Sequence, residues 1–169
     1  MKSDSNITIK EVINSDELKK FVMFPHSLYK DSKYWVAPII KEELEVLNKE
    51  TNPVFNNAIA HYFLAYIDGE IVGRIAALIN WIEVKDLKKK KVRFGWFDFI
   101  DDQNVSKALL EKVIEIGKKN NLEFIEGPVG FSNMDKAGML IKGFEKKNTM
   151  IAMYNYSYYQ DHMKAHGYN

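Results

Sequence analysis

Between residues 98 and 107 the chain reads Asp98-Phe-Ile-Asp-Asp-Gln-Asn-Val-Ser-Lys107, a polar turn joining an aromatic run to an amphipathic one. A helix that begins directly after a strand leaves its first backbone N–H groups unpaired, and such groups attract an anion. Gln103, Asn104, Ser106 and Lys107 carry side chains able to serve that anion, and Asp101 and Asp102 oppose it. At ~4 Å and an effective dielectric of ~20, each carboxylate facing a phosphate costs several kcal/mol. The turn holds no glycine, so its backbone lacks the freedom to take positive φ or to approach a phosphate closely. Asp98 is a lone carboxylate within aromatic residues. Burial there would raise its hold on a proton and suit it to act as a base toward an ammonium group.

Other polar candidates read more plainly. Arg74 is the one charge in the interior of an apolar strand and is expected in an ion pair, because buried charges need partners. Lys88 to Lys91 form the one charge run, without stacking aromatics or a recognition motif, so a solvated hairpin loop and no nucleic-acid role is expected. His162 and His166 stand four apart, but with no accompanying carboxylate motif no metal site is expected. Tyr158 and Tyr159 open the last helical stretch, where aromatic residues ordinarily anchor packing.

The elements that must position these residues follow from periodicity. Residues 94–100 form an apolar strand, and Leu109, Val113 and Ile116 fall on one helical stripe ending near Asn120-Asn121. Leu122 to Ile125 resumes as a strand. Upstream, Asp68-Gly69 joins two apolar runs, His61–Ile67 and Glu70–Asn80, which predicts a tight hairpin central in a sheet covered on both faces. A weak first strand over Ile7–Ile13 precedes a helix that begins at Ser15 and either ends or kinks at Pro25, with His26–Tyr29 as its continuation in the second case. Residues 39–48 form a second short helix. Ser132-Asn-Met-Asp135 resembles a capping box opening a short helix that ends at Gly143, Met150–Tyr154 is a further strand, and Tyr158–Ala165 is the last helix.

Length and composition place these elements in one domain. The 169 residues suffice for a single core, 46% hydrophobic and 28% charged content is ordinary for a globular chain, and a net charge of +1 favours no polyanion or membrane partner. With no cysteine there is no disulfide and no thiol nucleophile. The N-terminus lacks the apolar run of a signal peptide, and the expected location is the cytoplasm.

The order strand, two helices, Asp-Gly hairpin, strand, helix, strand, helix resembles the GNAT superfamily of acyl-CoA-dependent N-acyltransferases. The resemblance rests on His61-Tyr-Phe-Leu-Ala-Tyr-Ile-Asp-Gly-Glu-Ile-Val-Gly-Arg-Ile-Ala-Ala77 and Lys107-Ala-Leu-Leu-Glu-Lys-Val-Ile-Glu-Ile-Gly117, and it extends over residues 7 to 168. Tyr34-Trp-Val-Ala-Pro38, Gly127-Pro128 and Tyr154-Asn155 are further similar to a bacterial branch in which this region is the N-terminal half of a longer chain. The implied fold is an α/β (α+β) mixed sheet with helices on both faces, lacking the last strands, with residues 1–169 as one domain incomplete at its C-terminus.

The family's mechanism implies an acetyl-CoA or other acyl-CoA donor, its pantetheine arm paired with the fourth strand where the fifth splays away. Its pyrophosphate lies on a turn of the type Arg/Gln-x-x-Gly-x-Gly/Ala. Mapped here, Phe99, Ile100, Gln103, Asn104, Val105, Ser106 and Lys107 bind the donor, Asp98 is the base, and Tyr158 or Tyr159 protonates the leaving thiolate. The turn departs from that pattern in lacking both glycine and arginine. The usual tyrosine position falls on Met163, which has no proton to donate. Two functions follow: an N-acyltransferase-like domain acting on an amine acceptor, or a catalytically inactive module serving as the binding or packing half of a larger protein. Either way the resemblance implies a second GNAT-like half or a dimer partner that completes the sheet.

Overall fold

The computed structural model describes residues 6–149 and 152–168. Five strands line up in the order β1-β2-β3-β4-β5: β1 (Thr8–Glu11), β2 (Ala58–Ile67), β3 (Glu70–Asn80), β4 (Lys91–Phe99) and β5 (Phe124–Glu126). Neighbours are antiparallel except β4 and β5, which the helix α3 (Gln103–Lys119) connects in parallel. The hairpin turn is the expected one: Asp68 and Gly69 both take positive φ, 50° and 86°, so β2 and β3 pair directly at the centre of the sheet.

Both sheet faces are covered, and strand alternation assigns the residues to them. Ala60, Tyr62, Leu64, Ala76 and Leu78 pack on one face against Phe21, Val22 and Leu47 of α1 (Ser15–Leu28) and α2 (Ile40–Leu47). Phe63, Ala65, Ile75, Ala77 and Ile79 pack on the other against Val105, Leu109 and Val113 of α3 and against Tyr159 and Met163 of α4 (Tyr158–Ala165). A sheet apolar on both sides explains why the strands read as continuous hydrophobic runs.

Several expectations are corrected at this level. Helix α1 does begin at Ser15 and continues past Pro25 to Leu28; what the sequence left unassigned is its cap, Asn14, whose side chain accepts from Glu17 N–H. No helix opens at Ser132. Asp135 Oδ2 instead accepts the Ser132 N–H at 2.7 Å in a tight turn, a bridge between Val129 and Ala137 draws the segment back, and Gly138 at φ 88° breaks helical geometry. Of the strand expected over Met150–Tyr154, Met150 and Ile151 lie outside the described residues, and residues 152–154 are irregular. Lys91 is not solvated like Lys88–Lys90: it is buried against Glu83 and Glu126 beside the fully buried Arg93.

Candidate functional site

The site begins with an irregularity in β4. Arg74 on β3 faces Asp98, but Ala76 faces Gly95, so three steps along β4 match two along β3. The extra residue is a bulge at Trp96, which sits at φ 45°. It reverses the alternation: Val92 and Phe94 face α3 before it, and Phe97 and Phe99 face α3 after it. Asp98 therefore faces α1. With no bulge the same residue would point at α3, on the side of the sheet away from the cavity described below.

Asp98 is buried and fully engaged. Its Oδ2 accepts Arg74 Nε and pairs with Arg74 Nη2, both at 2.8 Å, while its Oδ1 accepts the Tyr29 hydroxyl at 2.8 Å. Arg74 Nη1 donates to the Phe21 carbonyl at 2.8 Å, which ties the cluster to α1. The ion pair expected for Arg74 is present, with Asp98 as its partner. Above the pair lies a cavity of about 230 Å³ whose walls are mainly apolar; Trp35, Trp96 and Tyr154 supply aromatic surface, and Glu43 and Asp135 add carboxylates. Trp96 is held in place by its indole N–H, which donates to Glu43 Oε2 at 2.7 Å.

The outer edge of β4 marks where the two faces of the sheet meet. Strand β5 pairs only as far as Arg93 opposite Glu126, Val129 N–H still reaches the Phe94 carbonyl, and the chain then departs. Beyond that point α4 takes the place of a strand. The Phe99 N–H donates to the Tyr159 oxygen at 3.0 Å, and the Tyr158 hydroxyl donates to the Phe99 carbonyl at 2.6 Å. Tyr159 also stacks on the Phe99 ring, with centroids 4.2 Å apart. Tyr29, which the sequence did not single out, links both halves of the site: its hydroxyl lies 2.9 Å from that of Tyr159 while donating to Asp98. Burial first, and then the Asp98 charge, push the Tyr29 and Tyr159 phenols well above the ordinary range, so both are neutral hydrogen-bond donors.

The turn at the start of α3 is closed in a related way. Asp102 Oδ1 accepts the Asn104 N–H at 2.8 Å, and the Val105 and Ser106 amides already bond the Asp102 carbonyl, so the helix caps itself. Val105 and Ser106 are buried, Ile100 is half-buried, and Gln103, Asn104 and Lys107 are exposed. The Ser106 hydroxyl contacts His162 Nδ1 and His166 Nε2, each at 2.8 Å, and His162 Nε2 reaches Asp101 Oδ1 at 2.9 Å. The Ser106 hydroxyl has one proton to give and a third neighbour in the Gln103 carbonyl, to which it donates at 3.1 Å. Burial, then His162, then Lys107, hold His166 below its ordinary pKa. Among the described residues no group of three His, Cys, Asp or Glu side chains could hold a metal ion, and no helix is long and apolar enough to cross a membrane.

Comparison with known proteins gives the fold its relatives. No family model matches the chain. It is 31% identical over 161 residues to Protein YghO of Escherichia coli, covering 95% of this chain and 41% of that protein. It is 25% identical over 167 residues to the bacterial ceramide synthase of Caulobacter vibrioides, covering 98% and 44%. The chain thus spans less than half the length of the curated relatives it matches. Among solved structures it superposes on a predicted acetyltransferase from Clostridium acetobutylicum crystallised with acetyl-CoA, at TM-score 0.58 and 12% identity over 96% of this chain and 90% of that one. A tandem GNAT protein from the clavulanic acid biosynthesis pathway matches at TM-score 0.54 and 12% identity, covering 69% and 34%. An aminoglycoside acetyltransferase from a soil metagenome, in complex with sisomicin, matches at TM-score 0.52 and 17% identity, covering 73% and 77%.

Proposed function

From the GNAT-superfamily fold that these neighbours establish, we propose that the chain is an acyl-CoA-dependent N-acyltransferase-like domain whose amine acceptor enters the cavity above Asp98. The observation that carries this reading is the bulge at Trp96, which turns a buried carboxylate toward a cavity beside the edge of β4. In the proposed reaction the amine nitrogen attacks the thioester carbonyl and the carbon–sulfur bond breaks. The proton lost by nitrogen passes to Asp98, and the departing thiolate takes a proton from water. Arg74 and Tyr29 fix the carboxylate in place.

The cavity's chemistry narrows the acceptor. Aromatic walls with carboxylates at Glu43, Asp98 and Asp135 suit an ammonium group carried on an apolar body better than a polycation, because Arg74 and Lys136 also line the cavity. The ceramide synthase relative is in keeping with this, since ceramide is itself an N-acylated long-chain amine. The donor fits one part of its track and not another. The outward N–H and C=O of Phe99 form the pair an amide chain needs, while the self-capped, acidic Asp101–Asp102 turn suits a pyrophosphate poorly.

That mismatch also supports a second reading, a GNAT-like module without activity that packs within a larger protein. Thiol release separates the two. The chain contains no cysteine, so a thiol reagent reports only free CoA. With acetyl-CoA or a longer acyl-CoA and an alkylamine, the enzyme reading expects amine-dependent thiol release that Asp98→Asn lowers by about 10²-fold or more. Release at the uncatalysed rate with every amine would favour the inactive module.

A further inference from the structure

We propose that α4 is an internal occupant of the donor track, and that an acyl-CoA binds by displacing it from the edge of β4. The inference rests on the acyl-CoA reading above and concerns how that site opens. A strand edge offers an outward N–H and an outward C=O, and at Phe99 both are used by one helix: Tyr159 accepts from the N–H and Tyr158 donates to the carbonyl. An extended amide chain such as a pantetheine arm makes the same pair, one acceptor and one donor in register, so helix and ligand compete for the same two groups. The occupation is not confined to that residue. His162 and His166 cover Ser106, His162 reaches Asp101, and Tyr159 stacks over Phe99, so α4 spans the track from the bulge side of β4 to the first turn of α3.

α4 also has the construction of an element that can leave. It is eight residues long and has no side-chain hydrogen bond at its N-terminus. A helix this short has little stability apart from its packing. Its hold on the body combines hydroxyl and imidazole bonds, which water can satisfy once the helix lifts, with the apolar packing of Tyr159 and Met163 against the core. The Tyr159–Tyr29–Asp98 chain joins this hold to the cavity, so an ammonium group that competes for Asp98 loosens one of its ties.

The test uses the full chain and acetyl-CoA. Met163→Cys places a single thiol on the buried face of α4 in an otherwise cysteine-free protein, and its alkylation rate by iodoacetamide reports exposure of that face. Val113→Cys, buried in α3, reports global opening. Saturating acetyl-CoA is expected to speed alkylation of the Met163→Cys variant at least several-fold and to leave that of the Val113→Cys variant unchanged. Tyr158→Phe, which removes one tie and keeps the ring, is expected to bind acetyl-CoA about 5-fold more tightly by calorimetry. Binding of acetyl-CoA with no change in alkylation of Met163→Cys, or with equal affinity in Tyr158→Phe, overturns the displacement and leaves the acyl-CoA reading standing. No binding by either the unsubstituted chain or Tyr158→Phe at millimolar ligand overturns both.

Discussion

Tyr29 and Tyr159 are 130 positions apart, on either side of the sheet edge, and their hydroxyls meet at 2.9 Å across the gap left where β5 leaves β4. Because Tyr29 donates to Asp98, the oxygen of Tyr29 is left to accept from Tyr159, and the Phe99 N–H supplies the remaining bond to Tyr159. All three hydrogen bonds therefore run in one direction, toward the Asp98 side chain. The acceptor side of the sheet and the α4 side are in this way linked through Tyr29, the residue that closes α1.

Breaking the Arg74–Asp98 pair should be costly. Removing one partner of a buried ion pair leaves an uncompensated charge, at about 3–5 kcal/mol. Asp98→Asn and Arg74→Met should each lose that order of stability in chemical denaturation. The double variant should lose clearly less than the sum of the two, and additive losses would show that the pair is not coupled.

The crossing of β4 by the segment after β5 should tolerate no added methyl group. A Cβ at Gly95 would lie 2.5 Å from the Val129 carbonyl oxygen, a backbone atom that cannot swing aside. Gly95→Ala should cost about 1–3 kcal/mol and alter the cavity, measured as a lower denaturation midpoint together with changed tryptophan emission. Gly69→Ala, with open space around it but φ at 86°, should instead cost only the local strain of about 1 kcal/mol.

The hold of α4 on α3 should weaken in acid. His166 has its pKa lowered in the folded chain, so the unfolded state binds more protons as pH falls through about 6.5. The stabilisation is complete above that value and is lost on the way down to the lowered folded pKa. Around His166 stand His162 and Lys107, which oppose its protonation, and Glu111, which favours it. His26, lowered by burial and Arg74, contributes with the same sign. Thermal denaturation at pH 7.5 and 5.5 should show a loss in acid that His166→Gln reduces and His26→Gln reduces separately.

Much of this fold is legible in the sequence, for physical reasons that also explain the rest. The hairpin at Asp68-Gly69 can be read because its two positive φ values demand those residue types, and α3 because its apolar stripe faces the sheet. The bulge cannot be read. Trp96 takes φ 45° at a residue type that does not announce it, and Gly95 beside it marks an irregularity without giving its direction, so the facing of Asp98 does not follow from the pattern. Tyr29 escapes sequence reasoning because its role exists only through contacts with residues 98 and 159. The turn at Ser132 reads as a helix start because its local signal, a hydroxyl followed three residues later by a carboxylate, is shared by a closed turn.

Asp102 should trade stability against affinity. Asp102→Arg loses the cap on the Asn104 N–H, about 1 kcal/mol, and replaces a repulsive charge with an attractive one beside the α3 terminus. Its denaturation midpoint should fall while its affinity for acetyl-CoA rises, and unchanged affinity would place the pyrophosphate elsewhere.

The most direct measurement is the backbone amide spectrum of the ¹⁵N-labelled full chain during titration with acetyl-CoA at low salt. If the donor lies along the edge of β4, the Phe99 amide exchanges the Tyr159 oxygen for a ligand carbonyl. The account then predicts that Phe99, the Gln103–Lys107 amides and those of α4 shift together along one saturation curve. Shifts confined to other residues, or an unchanged Phe99 amide at millimolar acetyl-CoA, would contradict it.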